Sequence, residues 1–351
     1  MKRIVLLILC ISLILSGCTW MDGEYHSVKP HAADGMDVSD DVVMVSDYIQ
    51  LRDALADMIT SGRQESTFYF SGFDHKDVDQ YMTAAIMYVQ EDTAVGAYAL
   101  EDITFESGNR GGVSAIAVTA TYLYSRQELL RIKSVSDSDS AKSLLTAALR
   151  NCDNSLVIKI KDYKAMDITS FVQEYANANP HLCMEIPQVV SATYPAHGQE
   201  RILEVFFTYQ NSRETLKDMQ ETVLPIFQAA EVYVRDSDED ALKYEQLYAF
   251  LMERFDYKIE TSITPVYSLL RYGVGDSKAI AMVYSIMCQN AGLRCEVVAG
   301  SKNGEAYYWN LIRIADKDYH IDLLKSSAAG EFTLMIPESM SGYVWDYSDY
   351  E

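Results

Sequence analysis

The sequence predicts an α+β protein: two repeated small α+β modules followed by a larger α+β domain. Three observations carry that expectation. Helical and strand periodicities alternate in the same order twice between about residues 45 and 222. A Tyr-x-x-Ser-Arg segment occurs at Tyr122 and again at Tyr209. After Gly275, one apolar helical stretch leads into three strand-like runs separated by turn residues. The 351 residues, 49% hydrophobic and 23% charged, supply core material for several domains. The expected boundaries are a leader at 1–17, an acidic tether at 18–44, modules at 45–133 and 134–222, and the last domain at 223–351.

The modules read as follows. Each opens on a helical pattern, Leu51, Ala54, Leu55 and Met58 in the first and Leu144, Leu145, Ala148 and Leu149 in the second. Strands follow at 66–71 and 155–160, then helical stretches at 78–89 and 168–176. Each module closes with a strand that runs through the shared Tyr-x-x-Ser-Arg into a helix. Nothing in them suggests catalysis. His181 and Cys183 are two metal-ligand types, and two ligands do not make a site.

The start of the chain is a targeting signal in its pattern. Lys2 and Arg3 precede the apolar run from Ile4 to Leu15, which is too short to span a bilayer. It ends in Leu15-Ser16-Gly17-Cys18, which resembles the lipobox of bacterial lipoproteins. The resemblance implies cleavage before Cys18 and lipid (palmitate among its acyl chains) on that residue. The chain would then sit on the extracytoplasmic side of the cell membrane, held by acyl chains. Its formal charge of −22 disfavours nucleic acid and anionic lipid as partners. Asp34, Asp37, Asp40 and Asp41 fit no calcium-loop spacing and read as a solvated tether. Cys152, Cys183, Cys288 and Cys295 allow three disulfide pairings or none, and spacing does not choose among them.

The third region begins near Arg235. Asp236, Asp238 and Asp240 start like a calcium loop, but Ala241 and Leu247 occupy the positions that need glycine and glutamate. Helix capping by Ser237 or Asp238 is the better reading, with Leu247, Phe250, Leu251 and Phe255 as the apolar stripe. Downstream, Ile280, Ala281, Tyr284, Met287, Cys288 and Ala291 share one helical face, and Gly292 stops the helix. Strands are expected at 294–300, 307–314 and 319–324.

Gly275-Asp-Ser-Lys-Ala-Ile-Ala281 resembles the Gly-x-Cys-x-x-x-Ala motif of the transglutaminase-like superfamily, which has a papain-like fold. The segments 291–300, Tyr307-Tyr-Trp-Asn310 and Asp318-Tyr-His-Ile-Asp322 are similar to the family's next motifs in order, as are 255–257 and 342–346. The resemblance implies a Cys-His-Asp triad at Ser277, Tyr307 and Asp322, so that only the aspartate is kept. A shift of two residues would put the cysteine column on Gly275 and the motif alanine on Ala279, again without a thiol.

A cysteine at a helix tip beside an imidazolium ionises readily. A serine there needs a general base. Tyrosine, with an ordinary value near 10, and aspartate are poor replacements. His320, two residues before Asp322, is the one candidate for a relocated base. Asp276 and Ser277 also suit plain helix capping. The expectation is therefore a lipid-anchored surface pseudoenzyme without cofactor or metal, binding or scaffolding a peptide, protein or cell-wall ligand. The alternative is a weak hydrolase or amide transferase that uses Ser277 as nucleophile. A purely structural spacer is a third possibility.

Overall fold

The computed structural model describes residues 42–71, 77–110, 113–254 and 262–350. They belong, save Val42, to the compact unit Val43–Glu351; the other unit is Met1–Val42. Cys18, the leader, nearly all of the tether and Phe255-Asp-Tyr257 lie outside the described residues. Among the described residues, no helix is long and apolar enough to cross a membrane.

Among the described residues the fold is mixed α+β with three four-stranded sheets. The first region runs β1 (Val42–Val45), α1 (Tyr48–Thr60), β2 (Glu65–Phe70), α2 (Val78–Asp92), α3 (Ala94–Ala99), β3 (Leu100–Arg110) and β4 (Val113–Tyr122). Its strand order is β1-β2-β4-β3. Strand β1 thus takes up the last residues of the expected tether. Asp47 caps α1 by accepting from the Gln50 amide, and Leu51, Leu55, Met58 and Ile59 turn one face into the core.

A short helix, α4 (Arg126–Arg131), leads to β5 (Lys133–Asp137), α5 (Ser138–Asn151), β6 (Ser155–Asp162), α6 (Ile168–Ala178), β7 (Gln188–Tyr194) and β8 (Arg201–Thr208). This sheet is ordered β5-β6-β8-β7. On β8, Leu203, Val205 and Phe207 face the helices while Ile202, Glu204 and Phe206 face the other way. The two Tyr-x-x-Ser-Arg segments do similar local work. Ser125 and Ser212 cap the helices that follow them. Arg126 donates to the Ser61 carbonyl and Arg213 to the Asn151 carbonyl, each at the end of an earlier helix.

Helix α7 (Arg213–Tyr233) runs unbroken through the expected module edge at 222/223. Then come α8 (Asp240–Met252), α9 (Pro265–Tyr272) and α10 (Ser277–Asn290). Strands β9 (Cys295–Lys302), β10 (Glu305–Ile314) and β11 (Lys317–Ile321) follow, then α11 (Leu323–Ala329) and β12 (Tyr343–Trp345). The sheet order is β11-β10-β9-β12.

Two expectations need correction here. Helix α8 is not capped by Ser237 or Asp238: it starts after Glu239, and the Asp238 carboxylate accepts from Gln246 at 3.1 Å. The expected strand 319–324 ends at Ile321, because Asp322 leaves the sheet to cap α11. The tight turns at Asn303-Gly304 and Ala315-Asp316 have positive φ at both central residues, as two-residue hairpins require.

Helix α10 is buried along nearly its whole length. Tyr284 donates to the Tyr244 carbonyl at 2.9 Å, Ser285 to the Cys295 carbonyl at 2.8 Å, and Asn310 to the Ala281 carbonyl at 2.9 Å. These bonds pin the helix to both α8 and the sheet. All four described cysteines are free and buried. Burial pushes the Cys183 thiol up to about 12.

Candidate functional site

Asp276 is the N-cap of α10, its carboxylate accepting from the Ala279 amide at 2.9 Å. Ser277 is the first helical residue and is buried. Its Oγ accepts the Tyr308 amide at 3.3 Å. Gly275 has no room for a side chain, since a Cβ there would lie 2.9 Å from that of Ala279.

Strand β10 alternates across its sheet. Ile312 and Asn310 face α10, whereas Tyr307, Trp309 and Leu311 face an aromatic cluster with Tyr343 and Trp345. The Tyr307 hydroxyl donates to Asp322 Oδ1 at 3.0 Å. The structure therefore brings Tyr307 and Asp322 together, while Ser277 is held by the backbone one residue further along.

Asp322 is 2% exposed and takes five donors. Tyr307 and the amides of Leu324 and Lys325 reach Oδ1. Lys302 Nζ at 2.7 Å and the Tyr343 hydroxyl at 2.6 Å reach Oδ2. A carboxylate offers about four lone-pair sites, so this one has none left for a serine or an imidazole. Burial alone would raise the Asp322 carboxyl. The bonds from Lys302, Tyr343 and the Lys325 amide outweigh it and hold the group below its usual range. Burial, followed by the bond to Asp322, pushes the Tyr343 phenol well up.

Lys302 also lies 4.6 Å from the centroid of the Tyr307 ring and 5.0 Å from that of Tyr343. It supplies the positive charge that a triad would place on histidine, but it is a donor only and accepts no proton from Ser277. Lys302 and Tyr343 were not legible as partners in the sequence. The contacts cross three strands, and the only local hint was Tyr343 in the closing Gly342-Tyr-Val-Trp-Asp346 segment.

His320 is buried, and its Nδ1 accepts the Trp309 indole N–H at 3.0 Å. Because the indole only donates, Nδ1 carries no proton. The ring packs edge-on to Trp345 at 4.8 Å. Burial lowers its basicity. It is a packed aromatic-cluster residue, not a base aimed at Ser277. The recess bounded by Ser277, Ala281, Tyr308, Asn310 and Asp322 holds no water-sized volume.

Next to the helix tip, on the side of Asp276, Lys278 and Met282, lies an open groove of ≈ 370 Å³. Pro180, Ile186 and Ile263 line it as well, and Ile263 is 52% exposed. Among the described residues, no group of three or more His, Cys, Asp or Glu side chains could hold a metal ion. His181 instead packs its ring against Phe227 at 5.5 Å, and burial lowers it to about 4.

Residues 228–323 match the model of the transglutaminase-like superfamily, so the C-terminal region carries a transglutaminase-like domain. No curated protein matches the chain. Among solved structures, one described as a TGase is 10% identical, with a TM-score of 0.27, over 64% of this chain and 66% of that one. A second, a proposed protease from Parabacteroides distasonis, is 10% identical with a TM-score of 0.24, over 73% of this chain and 40% of that one. The chain thus spans less than two thirds of either, and at these scores neither likeness carries weight for fold or chemistry.

Proposed function

We propose that this chain is a lipid-anchored protein of the extracytoplasmic membrane face whose transglutaminase-like domain is catalytically silent and holds a peptide, protein or cell-wall ligand. The observation that carries the reading is the saturation of Asp322 by Lys302, Tyr307, Tyr343 and two backbone amides. With that carboxylate filled, no base among the described residues is placed to take the Ser277 proton, and its Oγ sits in a recess closed to water. The groove at Lys278 and Ile263 is where a ligand fits, since it is open, largely apolar and fringed by mixed charge. The parallel strand orders β1-β2-β4-β3 and β5-β6-β8-β7 support two copies of one module in front of the domain.

The silent domain and the groove are separable by experiment. Serine-directed fluorophosphonate labelling and amide-transfer assays on the wild type and Ser277→Ala are expected to agree at background. A signal present only in the wild type contradicts the silent reading. In pull-downs with purified cell-wall fragments and surface extract, Ser277→Ala is expected to bind like wild type and Ile263→Glu to lose binding. Equal capture by Ile263→Glu removes the groove from consideration. For the anchor, Cys18→Ser is expected to release the chain from the membrane pellet, and retention there contradicts lipidation.

A further inference from the structure

The seam between the first two sheets holds a second pocket, of ≈ 430 Å³, remote from Ser277 in the chain and lined by none of the groove's residues. It opens over the face of β8 that turns away from its own helices. Tyr98 and Tyr124 form one wall, their rings stacked at 4.7 Å with planes 10° apart. Val157, Ile132 and Phe206 form an apolar side, and Phe206 is 47% exposed. Glu204 lies within this lining and is 8% exposed.

That carboxylate is poorly served. It receives the Tyr98 hydroxyl at 3.4 Å and the Tyr194 hydroxyl at 3.5 Å. Bonds from a hydroxyl to a carboxylate ordinarily measure about 2.5–2.7 Å. Among the described residues, its partners are those two phenols, and no lysine, arginine or histidine pairs with it. A carboxylate with about four lone-pair sites, two long contacts and little water is an unfinished binding arrangement. Aromatic faces beside it attract cations.

We infer that this pocket binds a primary alkylammonium or arylalkylammonium group, its nitrogen between Glu204 and the Tyr98–Tyr124 pair and its apolar arm along Val157 and Phe206. Glu128, which also lines the pocket, is committed to the Ser125 cap, and Arg131 lines it too. The Arg131 charge works against any cation, and against a doubly charged one most, so the pocket selects a ligand with a single positive charge held at Glu204. The ammonium can come from a free amine or from a lysine side chain, and the two are told apart below.

Isothermal titration of the full chain with benzylammonium chloride, benzyl alcohol and N-acetyl-lysine amide tests the inference. Benzylammonium is expected to bind at least about tenfold more tightly than benzyl alcohol, the scale of a charge held by a carboxylate and aromatic faces. Glu204→Gln is expected to bring that ratio close to one, and Ser277→Ala to leave it intact. N-acetyl-lysine amide matching benzylammonium assigns a lysine side chain as the natural ligand; markedly weaker binding assigns a free amine. If Glu204→Gln does not fold, Tyr124→Leu keeps the wall apolar and is expected to lower the ratio alone. The inference is overturned if neither amine binds, if the alcohol binds as tightly as the ammonium, or if the variant that folds keeps the wild-type ratio.

Discussion

Lys302→Met is expected to cost about 3 kcal/mol of folding stability at pH 7, the lower end for opening a buried ion pair. Asp322 is 2% exposed in its side chain and Lys302 27%, so the variant leaves a carboxylate inside the protein without its cation. Four other donors remain, which keeps the loss from being larger. The pH dependence follows from the depressed Asp322 carboxyl. A carboxyl held lower in the folded state than in the unfolded chain stabilises fully above the unfolded value of about 3.9. That contribution fades as pH falls through the lower, folded value. The gap between wild type and Lys302→Met in urea melts is therefore expected to be widest near neutrality and to shrink below about pH 4. A gap that stays constant with pH contradicts the ion-pair account. Adding Asp322→Asn to Lys302→Met is expected to recover part of the loss, because the stranded charge goes with it.

Trp309→Ala is expected to cost about 3–5 kcal/mol, the range for emptying a large aromatic site in a core. The indole is 1% exposed and meets the Tyr343 ring at 5.3 Å and the Trp345 ring at 5.5 Å. Its edge lies so close to Gly300 that a Cβ there would come within 2.6 Å of it, so strand β9 is shaped around this ring. Trp309→Phe keeps most of the apolar contact but leaves His320 Nδ1 without its donor. Its expected loss is about 1–3 kcal/mol, the scale of one unmade buried hydrogen bond. Thermal or urea melts of both variants give the comparison. Equal losses would mean that the His320 bond, and not the packing, dominates.

Much of the last domain was legible in the sequence because its signals are local. The helix from Ser277 to Asn290 announces itself by its apolar face, its Asp276 cap and its Gly292 stop. The hairpins at Asn303-Gly304 and Ala315-Asp316 follow from turn residues between alternating strands. The helix after Asp322 was missed, although the signs were there: an aspartate cap before Leu323-Leu-Lys325 and a glycine stop at Gly330. A strand pattern ending in apolar Ile321 simply ran on into apolar Leu323 and Leu324.

The candidate site divides along the same line. Motif order pointed to Ser277, Tyr307 and Asp322, and it carried nothing about their surroundings. Lys302 at the end of β9 and Tyr343 on β12 reach Asp322 only because the sheet is ordered β11-β10-β9-β12. Sequence spacing carries no trace of that order. Glu204 was hidden for a related reason. It alternates correctly within its strand, and the side chains around its carboxylate come partly from the neighbouring module, through Tyr98 and Tyr124, and partly from Tyr194 on β7.

The central proposal is that Ser277, which the motif resemblance aligns with the family nucleophile, is closed off and does not stabilise a charged nucleophile. Substituting Ser277→Cys tests it most directly, by the rate of iodoacetamide alkylation against pH. Wild type serves as the blank: its four described cysteines are buried, and whatever Cys10 and Cys18 contribute is the same in both proteins and is subtracted. The account predicts a thiol that reacts more slowly than free cysteine at every pH, with its rate rising no earlier than the ordinary value of about 8.5. Fast alkylation already developed at pH 6–7 would reveal a thiolate-stabilising cleft and contradict the account.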